Sequence, residues 1–123
     1  MLLVLVSLVL AACGGGNETP TPTPIGDAVA GEALFNKPGL GCAGCHSLEV
    51  DKVVVGPSMA GVGNRAASRV PGISAEDYLR QSILEPDAFV PDGFAAGLMP
   101  GGLGEELTDD QTDDLIAYLL TLK

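Results

Sequence analysis

Hydrophobic and polar positions divide the chain into unlike stretches. Residues 1–12 are an almost unbroken run of Leu, Val and Ala. At about a dozen residues the run is short of the ~20 that span a bilayer, and it has the length of the apolar part of a secretory signal. Residues 13–26 bury nothing: three glycines, Asn17, Glu18 and the alternation Thr19-Pro20-Thr21-Pro22-Thr23-Pro24 favour an extended, solvated linker. At ~3.1 Å per residue such a linker reaches about 40 Å.

Helical spacing begins at residue 27. Asp27 can cap a helix over residues 28–36, stopped by Pro38 and Gly39. Gly31 within it sacrifices ~1 kcal/mol relative to Ala, which points to a close helix contact, and Phe35 one turn on shares its face. Val53-Val54-Val55-Gly56-Pro57 reads as an extended segment ending in a turn, followed by a Gly-rich stretch to Arg69. Ser74 caps a second helix through about Leu84, with Tyr78, Leu79 and Ile83 apolar and Pro86 beyond its end. Prolines and glycines from Pro86 to Gly104 predict one long loop, a length that in a small domain is usually functional. Thr108 and Gln111 form a capping box for a last helix, whose apolar face is Leu115, Tyr118, Leu119 and Leu122. Glu105, Glu106, Asp109, Asp110, Asp113 and Asp114 crowd its start, where carboxylates favour the helix dipole, so the acidic run is expected to be solvated.

Composition changes this picture in one respect. Of 123 residues 46 % are apolar but only 4 % aromatic, with 17 Gly and 9 Pro, so the roughly hundred residues after the linker can barely fill a core of their own. A buried prosthetic group would supply the missing bulk. The formal charge of -10 excludes nucleic acid as a partner, since binding it draws on clustered cations, and favours a basic protein surface.

The candidate chemistry lies in Cys42-Ala43-Gly44-Cys45-His46. Two thiols and an adjacent imidazole in this spacing read as a c-type haem attachment site: the thiols add to the porphyrin vinyl groups and the imidazole binds iron from one face. A thioredoxin-like pair would need a βαβ context, which the flanking helix and loop do not supply. A structural zinc site would need four ligands, yet His46 is the only histidine and Cys13 the only other cysteine. One motif implies one haem, and one histidine leaves the sixth iron position to another residue type or to none.

Leu10-Ala11-Ala12-Cys13 resembles the bacterial lipoprotein processing box, which implies a diacylated Cys13 as the mature amino terminus, although no Lys or Arg precedes the apolar run. The other reading of this stretch is a buried N-terminal strand with a free thiol. The domains expected are therefore a removed signal over 1–12, a lipid-attached linker over 13–26 and a haem domain over 27–123.

From residue 27 onward the pattern resembles class I cytochrome c. The resemblance implies an all-α fold of three or more helices wrapped round one covalent haem c. It implies a crossing of first and last helices through Gly31, Phe35 and Tyr118. It also implies that Pro57, in Gly56-Pro57, holds the proximal imidazole of His46 by its carbonyl, and that Met99, in Leu98-Met99-Pro100, is the distal iron ligand. Val55-Gly56-Pro57-Ser58, Asp77-Tyr78, Ser82-Ile83, Pro86 and Met99-Pro100 are most similar to the cytochrome c domains fused to bacterial oxidase subunit II. Met59 is expected to pack on the proximal side, and Arg65 and Arg69 to meet solvent in preference to a haem propionate.

The function implied is that of a membrane-tethered, extracytoplasmic electron carrier, on the periplasmic or outer face of the membrane, and not of an enzyme. Its partners would be redox proteins with basic docking surfaces. A haem enzyme or sensor with an open iron site is the alternative, although such sites usually keep a distal base and no second histidine exists. A haem-free docking lipoprotein with a redox disulfide is a third. The haem readings predict an apolar cavity between His46 and Met99.

Overall fold

The computed structural model describes residues 25–123; the signal-like run, Cys13 and nearly all of the linker lie outside the described residues. Among the described residues the chain forms six α-helical segments and no strand: α1 (Ala28–Phe35), α2 (Cys42–Cys45), α3 (Val62–Arg65), α4 (Ala75–Leu84), α5 (Leu103–Glu106) and α6 (Asp109–Thr121). A 3₁₀ turn, Ala66–Ser68, extends α3.

The three longer helices start where their caps require. Asp27 accepts from the N–H groups of Val29 and Ala30, Ser74 from Asp77 and Thr108 from Gln111, the last as a reciprocal capping box. The expected long loop ends two residues early, because Leu103 buries itself and winds residues 103–106 into a helical turn. Glu105 and Glu106 therefore sit on α5 and not at the start of α6. The Gly-rich stretch conceals α3: Val62 and Ala66, four apart on one face, are 4 % and 1 % exposed and dock into the core.

Crossing of α1 and α6 frames the molecule. A Cβ added at Gly31 would lie 2.6 Å from the Asp114 carbonyl carbon and 2.8 Å from Tyr118 Cβ, so only glycine admits this approach. Beside it the rings of Phe35 and Tyr118 pack with centroids 5.6 Å apart, tilted by 56°. Polar contacts flank the crossing: the Asp27 N–H donates to Asp114 Oδ1 at 2.7 Å, and Arg80 of α4 pairs with Asp113. Two members of the acidic run thus make tertiary contacts, whereas Asp109 and Asp110 face solvent as expected. A second close approach joins Gly63 of α3 to the end of α6, where its N–H donates to Leu122 O at 2.8 Å. An added Cβ there would meet the Leu120 carbonyl carbon at 2.9 Å.

Between these helices lies a thin core of Phe35, Val62, Ala66, Tyr78, Leu79, Ile83, Leu103, Leu107, Leu115, Ile116, Tyr118 and Leu119. Ile116, which the apolar face read from the sequence omits, is the most buried at 0 % exposure, while Leu122 lies just past the helix end and is only half-buried.

Candidate functional site

Gly41 positions the first of the two thiols. It takes φ +89°, a left-handed turn that starts α2, and the following turn sets Cys42 and Cys45 at its two ends. His46, at the C-cap, has extended backbone and pairs with Val53 in a lone antiparallel bridge. The chain then folds back: Val55 and Gly56 both donate to the Cys45 carbonyl, at 3.2 and 2.9 Å, and Met59 donates to Ser47 O at 2.8 Å. Ser58 Oγ donates to Glu49 O at 2.6 Å and closes the same loop.

This fold-back brings Pro57 to the imidazole. His46 Nδ1 lies 2.8 Å from the Pro57 carbonyl oxygen. A carbonyl can only accept, so Nδ1 carries the proton and the lone pair is on Nε2. Gly56 leaves the room required: a Cβ there would lie 2.5 Å from His46 Cε1 and 2.9 Å from Nδ1.

Both thiols and the imidazole face one cleft, which Met99 also lines together with Phe35, Leu79, Ile83, Leu115 and Leu119 from the helices. Among the lining side chains only Asp87 carries a charge; His46, Tyr78 and Ser82 supply the remaining polar atoms. Burial, with a smaller push from neighbouring Cys45, raises the Cys42 thiol above its ordinary value against an opposing backbone hydrogen bond. The apolar cleft expected is present, with His46 and Met99 both on its lining.

The family model described as Cytochrome c matches residues 28–123. Cytochrome c2 of Rhodopseudomonas palustris is 30 % identical over 123 residues, covering 79 % of this chain and 99 % of that protein. A second cytochrome c2 of that organism is 30 % identical over 122 residues, with the same shares. Cytochrome c oxidase subunit 2 of Bacillus sp. (strain PS3) is 34 % identical over 103 residues, which are 78 % of this chain but only 26 % of that protein.

The chain belongs to the class I cytochrome c family. It is an all-α electron carrier with a covalently bound c-type haem, and the cleft fits that cofactor: two free thiols on one turn, an imidazole with Nε2 available, a thioether and an otherwise apolar lining.

Two expectations about the cytochrome's side chains are refined. Arg65 does not point into solvent: its guanidinium is part-buried and donates to the carbonyls of Ser58 and Ala60, bracing the loop behind Pro57. Arg69 is exposed. Met59 lines the cleft and packs on the core, with its N–H tied to Ser47 next to His46. The carbonyl contacts of Arg65 and the close approach of Gly63 had no signal in the residues alone. Each depends on which backbone the fold brings near.

Proposed function

We propose that this cytochrome carries single electrons between proteins outside the cytoplasm, tethered to a membrane through an acylated Cys13, with His46 and Met99 as the axial ligands of one haem. In this reading Cys42 and Cys45 form the thioethers. When bound, the haem supplies a one-electron ferrous–ferric couple. The protein's part is to hold two ligands of unlike chemistry still while charge changes. The Pro57 carbonyl fixes the His46 tautomer and ring plane, leaving Nε2 as the donor. The apolar lining keeps water away, and a neutral thioether together with a low-polarity surround disfavours the more charged ferric state.

The observation that carries this reading is the placement of His46, Met99 and both thiols on one apolar cleft. Val55 and Leu98, 44 % and 49 % exposed, rim that cleft, and Val50, Val53 and Val54 extend the exposed apolar surface from the neighbouring loop. A partner with an apolar contact patch inside a basic surround suits this face of a chain with formal charge -10.

Among the described residues no helix is long and apolar enough to cross a membrane. The tether we propose, Cys13, lies outside them. Cys13→Ser should move the protein from the membrane to the soluble extracytoplasmic fraction with its haem spectrum unchanged, since stable anchoring takes two acyl chains. A membrane fraction that does not change would show that the tether lies elsewhere. The ligation is tested by carbon monoxide: the native ferrous protein should refuse it, and ready binding would favour an open-site haem protein.

A further inference from the structure

The loop between α4 and α5 carries Met99 yet contains no helix. Its backbone turns are local: Ala88 donates to Glu85 O at 2.9 Å and Phe94 to Pro91 O at 3.2 Å. Turns of this kind shape the loop without tying its outgoing limb to its returning limb. One hydrogen bond does so across ten residues, from the Gly97 N–H to Asp87 Oδ1 at 2.7 Å. That length is typical of a charge-assisted bond.

Both ends of the bond are placed for it. The outgoing limb is fixed to α4, where the Phe89 ring packs edge-on against Tyr78 with centroids 5.8 Å apart. Gly97 takes φ +78°, a conformation that L side chains rarely adopt, where the returning limb bends back towards Asp87. Only Leu98 separates Gly97 from Met99. Asp87 is also the one charged side chain on the cleft lining.

We propose that Asp87 is a positioning residue for the sixth iron ligand: its carboxylate clamps Gly97 to the start of the loop and so holds Met99 at the iron. This rests on Met99 being that ligand. With the clamp made, the segment from 87 to 97 is a closed loop and Met99 leaves it at a set point. With the clamp removed, both limbs gain conformations in which the thioether is away from the cleft. The iron then spends more time open on that side.

The holoprotein tests this with four proteins: wild type, Asp87→Ala, Asp87→Asn and Met99→Ala. The readouts are the fraction of ferrous iron binding carbon monoxide at a fixed concentration and the sulfur-to-iron charge-transfer band of the ferric form. Asn keeps an acceptor oxygen but no charge. Asp87→Ala should raise the carbon monoxide-bound fraction by several-fold to about tenfold and weaken the band, the size expected for losing one partly solvated charged hydrogen bond. Asp87→Asn, which keeps a weaker, neutral bond to Gly97, should fall between wild type and Asp87→Ala, and Met99→Ala should be fully open. Thermal midpoints taken alongside should differ little, because Asp87 is exposed. If Met99→Ala is open while Asp87→Ala remains closed, the clamp is wrong and the ligand stands. If Asp87→Asn opens the iron as far as Asp87→Ala, the carboxylate acts through its charge and the clamp is overturned. If Met99→Ala binds no more carbon monoxide than wild type, the ligand assignment itself fails.

Discussion

Two methionines line the cleft, and they differ in what holds them. Met59 is bound by its backbone to Ser47, beside the imidazole, and packs against the core. Met99 sits on the loop between α4 and α5, before Pro100, which biases its backbone towards an extended conformation. The thioether that binds iron should raise the potential of the couple, because a soft neutral ligand favours ferrous iron. For a preference of about a thousandfold, at ~59 mV per tenfold for one electron, Met99→Ala should lower the midpoint by roughly 180 mV. Met59→Ala should leave it near wild type. Redox titration of the three proteins side by side decides the assignment, and equal midpoints for wild type and Met99→Ala would sink it.

At the scale of elements, the α1–α6 crossing concentrates the packing. Gly31→Ala forces its Cβ into the Asp114 peptide, where backbone and not a flexible side-chain end must yield. Overpacking of this kind costs about 1–3 kcal/mol, more than the ~1 kcal/mol of helix propensity that alanine returns. Urea denaturation should therefore show Gly31→Ala less stable than wild type, and a more stable variant would mean that the helices part easily. The same contact has a pH signature. Burial above all, and then the charge of Glu32, pushes the Tyr118 hydroxyl above its ordinary value. The folded state thus prefers the neutral phenol. The stability this contributes is complete below the unfolded value of about 10 and is lost as pH rises through the higher folded value. Wild type should weaken on passing pH ~10 more steeply than Tyr118→Phe, as read from denaturation midpoints across that range. Parallel curves would show that the phenol is free of its surroundings.

For the whole molecule, the helices form a shell round a cleft more than a core of their own. The longer helices each lend a face to that cleft: Phe35 from α1, Leu79 and Ile83 from α4, Leu115 and Leu119 from α6. A group bound there only in the folded state stabilises the fold by mass action, and covalent attachment makes its local concentration effectively permanent. Replacing Cys42 and Cys45 together with Ala should leave no pigment on the denatured chain and a domain cut readily by protease. A colourless double variant that resists protease as wild type does would show that the shell stands without its filler.

Much was legible from residues alone, for local reasons. Helix starts at Ala28, Ala75 and Asp109 follow from the side chains of Asp27, Ser74 and Thr108, which bond N–H groups two or three residues away. The motif Cys42–His46 carries its chemistry in its spacing, and Gly31 announced a close helix contact because glycine in a helix needs a reason. The fold decided what depends on backbone outside a residue's own helical turn. Gly63 looks like one more loop glycine until Leu120 is beside it, and Arg65 looks like a surface cation until the carbonyls of Ser58 and Ala60 turn towards it. Asp113 and Asp114 read as part of a solvated acidic run, yet the fold brings them Arg80 of α4 and the Asp27 N–H ahead of α1 as partners. Sequence carries a signal when a residue's partner lies within about one helical turn of it. Where the partner lies beyond that turn, it is named by the packed structure or, as for Tyr118 against Gly31 and Phe35, by the resemblance to a family.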